Sequence, residues 1–158
     1  MCSFISECSL IHFKEISGDS IPLSLLLLAD PLEVKIRCYL RDATCFGAFD
    51  NNDLVGACVT NFNIAGELEL FNIATLSSFQ RKGVGSKLLE LVINKSAIRN
   101  VNKLVLGTGT FGHQLAFYQR AGFRVEAVVK DFFTDNYDEP IYENGIKHHD
   151  MLRLTINV

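Results

Sequence analysis

The sequence lacks the cysteine spacings that disulfide frameworks and zinc sites use. No two of its five cysteines form a C-x-x-C pair, and none follows position 58. The cysteines are Cys2, Cys8, Cys38, Cys45 and Cys58. An odd number without framework spacing indicates free thiols in a reducing compartment. Cys8 and His12 lie close together, but no second ligand pair follows at zinc-site spacing, and the histidine pair at 148–149 is a weak signal, so we predict no metal site.

The sequence also lacks an apolar run long enough to cross a membrane. The run IPLSLLLLA at 21–29 is short, whereas a membrane-spanning helix needs about 20 residues. A signal peptide begins with a basic segment, but residues 1–9 contain no Lys or Arg and include Glu7. We therefore predict that the apolar run is a buried helix, and that the protein is cytoplasmic and has no membrane partner.

The charge distribution does not suggest a nucleic-acid partner. The 158 residues carry 15 Lys and Arg against 18 Asp and Glu, a net charge of −3, whereas nucleic-acid surfaces show basic residues clustered over a whole face. A composition of 48% hydrophobic and 21% charged residues is typical of a globular protein. The length fits one domain over residues 1–158, without repeats or linkers, and leaves open whether the chain forms a homodimer.

Residues 66–92, GELELFNIATLSSFQRKGVGSKLLELV, predict a strand, a basic glycine turn and a helix in that order. The strand shows alternation and then an apolar run, and the helix places apolar residues at helical spacing from Val84 onward. Free amides at a helix start bind anions, most often phosphate. Glycine lets the backbone approach such a ligand closely. An ordinary tight turn with solvated basic residues is the alternative for an isolated G-x-G.

The turn does not fit the two commonest nucleotide-binding motifs. It lacks the G-x-x-x-x-G-K-[ST] pattern of the ATP-binding P-loop, and Leu88 stands where G-x-G-x-x-G requires its last glycine. QRKGVG instead resembles the Q/R-x-x-G-x-G/A signature of the GNAT superfamily of N-acetyltransferases, and FYQRAGF at 117–123 resembles that family's second landmark. The resemblance is closest over residues 66–123 and extends more loosely over the whole chain.

The resemblance implies that the chain binds acetyl-CoA as its cosubstrate. In the family the turn binds the diphosphate, and a β-bulge splays the preceding strand from its neighbour to admit the pantetheine arm. Backbone groups of Ile73, Ala74 and Thr75 are then expected to bond the pantetheine amides. The residues expected at the diphosphate are Gln80, Arg81, Lys82, Gly83, Val84, Gly85 and Ser86.

Two residues are candidates for proton transfer. The resemblance implies that Tyr118 lies near the coenzyme sulfur and protonates it, and a phenol can donate at neutral pH; the alternative is a core tyrosine. Glu69 is the candidate base, because some histone-acetylating relatives hold a catalytic Glu at the matching strand position. Glu67 and Glu69 also alternate with leucines, so both can simply form the wet face of a half-buried strand.

The remaining pattern predicts a mixed α/β fold. The predicted strands are at 10–16, 44–49, 54–61, 66–76, 103–107, 123–130 and 151–156, and the predicted helices at 20–29, 31–40, 84–98 and 111–121. After the first strand and helices, the order βββαβαβ indicates a mixed sheet with helices on both faces. The resemblance makes this a single-domain GNAT fold with a mostly antiparallel sheet splayed between two strands.

The segment at 130–150 is the predicted acceptor site, because long irregular segments in compact domains are usually functional or disordered. It interleaves aromatic and acidic residues, which suit a cationic amine; the alternative is a packed loop over a sheet edge. The candidate substrate-binding residues are Asp131, Phe132, Phe133, Tyr142 and Glu143. The expected reaction is acetyl transfer to a primary amine of a small molecule, with a peptide or protein amine left open.

Two alternatives to an acetyltransferase remain at this stage. One is a GNAT-fold module that binds acyl-CoA without turnover. The other is an NAD-type enzyme, because Gly107, Gly109 and Gly112 spell G-x-G-x-x-G after a predicted strand, with Asp131 about 20 residues on. Too little chain follows for a doubly wound dinucleotide sheet. One departure from the GNAT pattern is Phe111, which stands where many members carry a cofactor-binding Asn.

Overall fold

The computed structural model describes residues 10–158, so Cys2, Cys8 and the predictions made for residues 1–9 lie outside the described part. The strands are β1 (Ile11–Ile16), β2 (Thr44–Asp50), β3 (Asp53–Phe62), β4 (Leu68–Thr75), β5 (Lys103–Gly109), β6 (Arg124–Val129), β7 (Tyr142–Glu143), β8 (Ile146–Lys147) and β9 (Met151–Asn157). The helices are α1 (Leu23–Leu26), α2 (Glu33–Leu40), α3 (Val84–Ile98), α4 (His113–Arg120) and α5 (Phe132–Asn136).

Seven strands form one sheet in the order β1-β2-β3-β4-β5-β9-β6, and β7 and β8 form a separate hairpin. Within residues 10–158, β4 and β5 are the one parallel pair of the large sheet, and its other neighbours are antiparallel. This confirms the predicted mixed, mostly antiparallel sheet. The parallel pair needs a crossover, which α3 supplies between the two strands.

The sheet splits between β4 and β5. The two strands pair only at Leu68 with Leu104 and at Glu69 with Val105. The rest of β4 keeps its pairing with β3 but has no strand on its other edge. Opposite β3, Thr60 pairs with Leu70 and Val59 with Asn72, so Phe71 is the extra residue of a β-bulge. The predicted bulge and splay are therefore both present, and the backbone groups along this edge of β4 are open to a ligand.

The sheet has a core on each face. On one face, which we call the α3 face, α3 and α4 bury a cluster that includes Leu70, Leu88, Leu104 and Tyr118. On the other, the α2 face, α1 and α2 bury a smaller cluster that includes Leu26, Ile36, Val59 and Ala74. The bulge reverses the facing of β4, because Leu68, Leu70 and Ile73 contact the α3-face core whereas Ala74 belongs to the α2-face core.

Two predicted elements differ from the structure. The predicted helix at 20–29 is reduced to the four residues of α1, and Leu27 and Leu28 are exposed rather than buried. Asp30 precedes a proline, which disfavours helical geometry there. The segment at 131–145 is not irregular, because it contains α5 and the β7–β8 hairpin. Asn144 and Gly145 take positive φ angles of 53° and 75°, as a two-residue hairpin turn requires.

The helix predicted at 111–121 begins two residues later, at His113. Its N-cap, Gly112, has φ 100° and ψ 175°, a conformation that a helix cannot include. The three cysteines of the described part, Cys38, Cys45 and Cys58, are free thiols. No helix between residues 10 and 158 has both the length and the hydropathy to cross a membrane.

Candidate acetyl-CoA site and acceptor face

The turn before α3 presents unpaired backbone amides to solvent. Arg81 and Gly83 take φ angles of 60° and 80°, and Gly83 is the N-cap of α3 without any side-chain cap. The first intrahelical bond runs from the Lys87 amide to the Gly83 carbonyl at 3.1 Å, so the first-turn amides of Val84, Gly85 and Ser86 have no helical acceptor. A methyl carbon at Gly83 would have no atom within 4 Å. The turn is therefore open to an anion.

The same turn adjoins the open edge of β4. A methyl carbon at Gly85 would lie 3.6 Å from Phe117 Cζ of α4 and 3.9 Å from Thr75 Oγ1 at the end of β4. Gln80 Nε2 donates to the Thr75 carbonyl at 3.2 Å. The Gln80 side chain thus fixes the loop against β4. In this structure its side-chain amide and the Thr75 carbonyl are hydrogen-bonded to each other. A groove of about 390 Å³ extends from Ser86 between α3 and α4, lined by Leu89, Ile93, Phe117 and Arg120 among others.

The structure buries Tyr118 in the α3-face core, where its side chain keeps only 7% of its surface exposed. Its ring meets Phe117 and Phe123 edge to face, with centroids 5.2 and 6.0 Å away. Burial, and to a smaller extent the neighbouring Cys58, raises the pKa of Tyr118. The hydroxyl is therefore protonated at neutral pH, as an acid must be, but the apolar surroundings make it a weak one.

The two strand glutamates, which the sequence could not distinguish, have opposite surroundings. Hydrogen bonds from Arg153 and then Lys103 lower the pKa of Glu67 to about 2. Burial raises the pKa of Glu69, although Asn63 Nδ2 donates to its Oε2 at 3.0 Å. A carboxylate that is more basic than usual is the better proton acceptor near neutral pH. Glu69 is therefore the stronger candidate for a base, and Glu67 serves an ion-pair cluster.

A buried polar network occupies the α2 face beside the split. Asp30 has 9% of its surface exposed, and its two carboxylate oxygens accept from the hydroxyls of Tyr39 and Tyr137, each at 3.4 Å. Asn72, the residue after the bulge, donates to Tyr39 Oη at 2.9 Å and to the Leu26 carbonyl at 3.0 Å. Tyr39 also stacks on the bulge residue Phe71, with centroids 5.1 Å apart. The network therefore links α1, α2, β4 and the 130–150 segment.

The structure separates the five predicted substrate-binding residues. Phe132 and Phe133 are half-buried in contact with the rest of the segment, and their rings lie 5.3 Å apart, edge to face. Glu143 points inward, where its Oε2 lies 3.1 Å from His148 Nε2. Asp131 is exposed and Tyr142 keeps 60% of its surface in solvent. Three of the five are therefore half-buried within the segment, and two are exposed.

The three glycines of the second G-x-G-x-x-G are covered by this chain's own side chains. A methyl carbon added at Gly109 would clash with the His148 ring, one at Gly107 with Met151, and one at Gly112 with the Glu143 carboxylate. His148 itself is buried and stacks on Phe111, with ring centroids 4.3 Å apart. These glycines therefore make room for side chains of this chain rather than for a dinucleotide. The second G-x-G-x-x-G is not an NAD-binding site in this structure.

Sequence reasoning missed Asp30, Tyr39 and Asn72 as site residues. In the sequence, Asp30 stands only before a proline, and Asn72 lies in the apolar run of a predicted strand. The available signal was Asn72, a lone polar residue in the apolar run of β4. A buried polar side chain needs hydrogen-bond partners. Within residues 10–158, no group of three or more His, Cys, Asp or Glu side chains is arranged to hold a metal ion.

Comparison with known proteins agrees with this geometry. The sequence profile of the Acetyltransferase (GNAT) family matches residues 21–123. The chain belongs to the GNAT family. A relative from Bacillus subtilis (strain 168), the uncharacterized N-acetyltransferase YvbK, is 39% identical over 149 residues, covering 94% of this chain and 96% of that protein.

Two solved GNAT structures superpose closely on the chain. An IAA acetyltransferase from Bacillus cereus ATCC 14579 is 36% identical, with a TM-score of 0.88 over 94% of this chain and all of that one. A GNAT family acetyltransferase from Elizabethkingia anophelis with acetyl-CoA bound is 41% identical, with a TM-score of 0.85 over 94% and 98% of the two chains. The predicted family is therefore confirmed, and acetyl-CoA is seen in a relative of the same fold.

Proposed function

We propose that this GNAT protein transfers the acetyl group of acetyl-CoA to a primary amine of a small molecule. The observation that carries the proposal is the open edge of β4 next to the amide turn of α3. An anion at the turn and an extended, amide-bearing chain along the strand edge together match the diphosphate and pantetheine of coenzyme A. The bound thioester supplies an acetyl group that is already activated for attack by a nucleophile.

The binding residues divide by the part of the ligand that they suit. The amides of Gly83, Val84, Gly85 and Ser86 face the diphosphate, and Arg81 and Lys82 add mobile charge at the exposed turn. Ile73 offers its backbone donor and acceptor along the unpaired edge, whereas the Ala74 carbonyl faces Gly56 of β3 and does not lie on that edge. Thr75 binds the pantetheine through its backbone amide alone, or also through its carbonyl once the Gln80 side chain has released that carbonyl.

Proton transfer divides between the two faces of the sheet. Glu69 lies on the α2 face beside the split and accepts the amine proton, because its raised pKa makes it a better base than an exposed glutamate. Tyr118 lies on the α3 face and donates from its hydroxyl to the sulfur as the thiol leaves. Tyr118 is buried and Glu69 is half-buried, which limits the access of water to both proton transfers.

The acceptor is inferred to be small because the 130–150 segment packs across the α2 face. Tyr137 of this segment bonds to Asp30 between α1 and α2, and Phe133 hydrogen-bonds through its amide to the His149 carbonyl at 2.9 Å. A long peptide would need a continuous open surface here. Aromatic rings and the carboxylates of Asp30 and Glu69 suit a compact amine that is cationic in solution.

The test is acetylation of an amine panel, with the acetylated product measured by mass spectrometry. Thiol reagents are avoided because Cys38 is an exposed free thiol. Acetyl-CoA affinity is measured separately by calorimetry, with desulfo-CoA and NADH as comparison ligands. Acetylated product above the non-enzymatic rate supports the proposal. Tight binding of acetyl-CoA without product from any amine would refute it and leave the non-catalytic acyl-CoA-binding module.

A further inference from the structure

An ammonium group of the chain itself lies in an aromatic cage on the acceptor side of the sheet. Lys35 Nζ is 4.0 Å from the ring centroid of Tyr137 and 5.3 Å from that of Phe132. Both rings belong to the segment at 130–150, while Lys35 is on α2. The charge of Asp30 attracts the same ammonium, although burial outweighs it and lowers the pKa of Lys35. We call Tyr137, Phe132 and Asp30 the Lys35 cage.

The cage is built to favour a positive charge. Ring faces of aromatic residues attract cations, most strongly when the cation is partly withdrawn from water. Burial and the charge of Asp30 raise the pKa of Tyr137, so its hydroxyl remains a neutral donor to that carboxylate. Asp30 is itself buried and accepts from two tyrosines and from the Leu32 amide at 3.1 Å. A buried carboxylate beside two ring faces attracts a cation and repels an anion, although burial opposes any charge there.

The cage lies close to the split between β4 and β5 but not in it. Lys35 and Tyr39 are four residues apart on α2, so they share one helix face and lie about 6 Å apart along the axis. Tyr39 stacks on the bulge residue Phe71 and bonds to Asn72, both at the split. A molecule that reaches from the split past Tyr39 therefore arrives at the cage.

The other lysines that lie over rings in the described part have simpler surroundings. Lys14 lies 4.7 Å from the centroid of Phe49, Lys82 lies 5.3 Å from that of Phe79, and Lys87 lies 6.0 Å from that of Phe13. Each contacts one ring, whereas Lys35 has two rings and a buried carboxylate. The arrangement around Lys35 is thus more than a lysine stem resting on an exposed aromatic side chain.

We propose that the Lys35 cage is a subsite for a second alkylammonium group of the acceptor, and that Lys35 fills it when no acceptor is bound. The inference rests on the proposed acetyl transfer to amines. A group held by ring faces and a carboxylate is held as the cation, which has no lone pair for attack. The nitrogen that is acetylated must therefore be a different one, and the substrate class is a diamine or longer polyamine.

The first experiment measures cation binding without any acetyl transfer. Tetramethylammonium is the probe, because it has no N–H to react and binds only through charge and ring faces. Its affinity is measured by calorimetry for the wild-type protein, Lys35→Met, Lys35→Arg and Lys14→Met. Removing the competing ammonium should strengthen binding about tenfold in Lys35→Met alone. Equal affinity in wild type and Lys35→Met would overturn the proposal, as would an equal gain in Lys14→Met.

The second experiment compares α,ω-diaminoalkanes of four to eight carbons with the monoamines of the same length. The ratio of kcat/KM for diamine over monoamine should exceed one in the wild type and rise several-fold in Lys35→Met, whereas Lys35→Arg should resemble the wild type. Tyr137→Leu in the Lys35→Met background should remove the gain. A ratio that Lys35→Met does not change would overturn the subsite. No transfer to any amine would instead refute the proposed function. The tetramethylammonium affinities would still test whether the cage binds a cation.

Discussion

Replacing Gly83 by alanine should separate backbone strain from acetyl-CoA binding, because the chain offers a matched control. Gly83 and Gly66 have φ angles of 80° and 76°, and a methyl carbon at either would have no heavy atom within 4 Å. Both substitutions therefore introduce the same left-handed strain, about 1–2 kcal/mol, without a clash. For a protein of this size that corresponds to a loss of about 2–8 °C in Tm.

Only the substitution at the α3 turn should affect the ligand. A methyl group at Gly83 stands where the diphosphate must approach the amides, so one charge-assisted hydrogen bond worth about 1.5–3 kcal/mol is lost. The dissociation constant for acetyl-CoA should rise about 10- to 100-fold in Gly83→Ala and stay within twofold of wild type in Gly66→Ala. Calorimetry and thermal unfolding of both variants provide the two readouts. Equal acetyl-CoA affinity in the two variants would refute the assignment of this turn.

Three further substitutions, with Gly85→Ala as a control for the third, test the remaining assignments. Tyr118→Phe should lower kcat by about 10²- to 10⁴-fold, with acetyl-CoA affinity nearly unchanged; equal activity would remove Tyr118 as the acid. Glu69 has its pKa raised by burial, so the acidic limb of kcat/KM should lie above the usual glutamate range and vanish in Glu69→Gln. The charged form of Glu69 lowers the stability of the fold as pH rises through that pKa. Glu69→Gln should therefore unfold at a higher temperature than wild type at about pH 8 but not at about pH 4. The same Tm difference at both pH values would contradict the raised pKa. Gly109→Ala places a methyl carbon 2.4 Å from the His148 ring, so it should lower the free energy of unfolding in urea by about 1–3 kcal/mol. Gly85→Ala, whose methyl carbon has 3.6 Å of clearance, should lower it by less. Equal losses of stability in the two variants would contradict the packing of His148 on β5.

The strand, turn and helix at 66–92 could be predicted because each signal there is local. The helical spacing from Val84 gave both ends of α3, and its observed bounds are Val84–Ile98. The end of the alternation after Glu69 is explained by the bulge, which the family resemblance implied, since an extra residue reverses the facing of a strand. The family resemblance then added the split between β4 and β5, which no local pattern reveals.

The acceptor face could not be predicted because its residues meet only after folding. Asn72 contacts Tyr39 and the Leu26 carbonyl, which precede it by 33 and 46 residues. Tyr137 reaches Asp30 across 107 residues of chain. A sequence pattern carries no record of such long-range hydrogen bonds, and an aspartate before a proline is also typical of an ordinary turn.

The β7–β8 hairpin had a local sequence signal. The prediction of irregular structure at 131–145 did not use it. Asn144-Gly145 is the dipeptide most typical of two-residue hairpin turns. The flanking strands have only two residues each, so there was no alternation to support the turn. In contrast, α1 was overestimated because an apolar run alone does not distinguish a long buried helix from a single turn.

Titration of the ¹⁵N-labelled protein with acetyl-CoA tests the central claim most directly. The amide resonances of Gly83, Val84, Gly85 and Ser86, together with that of Ile73 on the open edge of β4, should shift as the ligand saturates. The amide of Gly145, in another open turn with positive φ, should not shift. Saturable acetyl-CoA binding that leaves the Gly83–Ser86 amides unshifted would contradict the account.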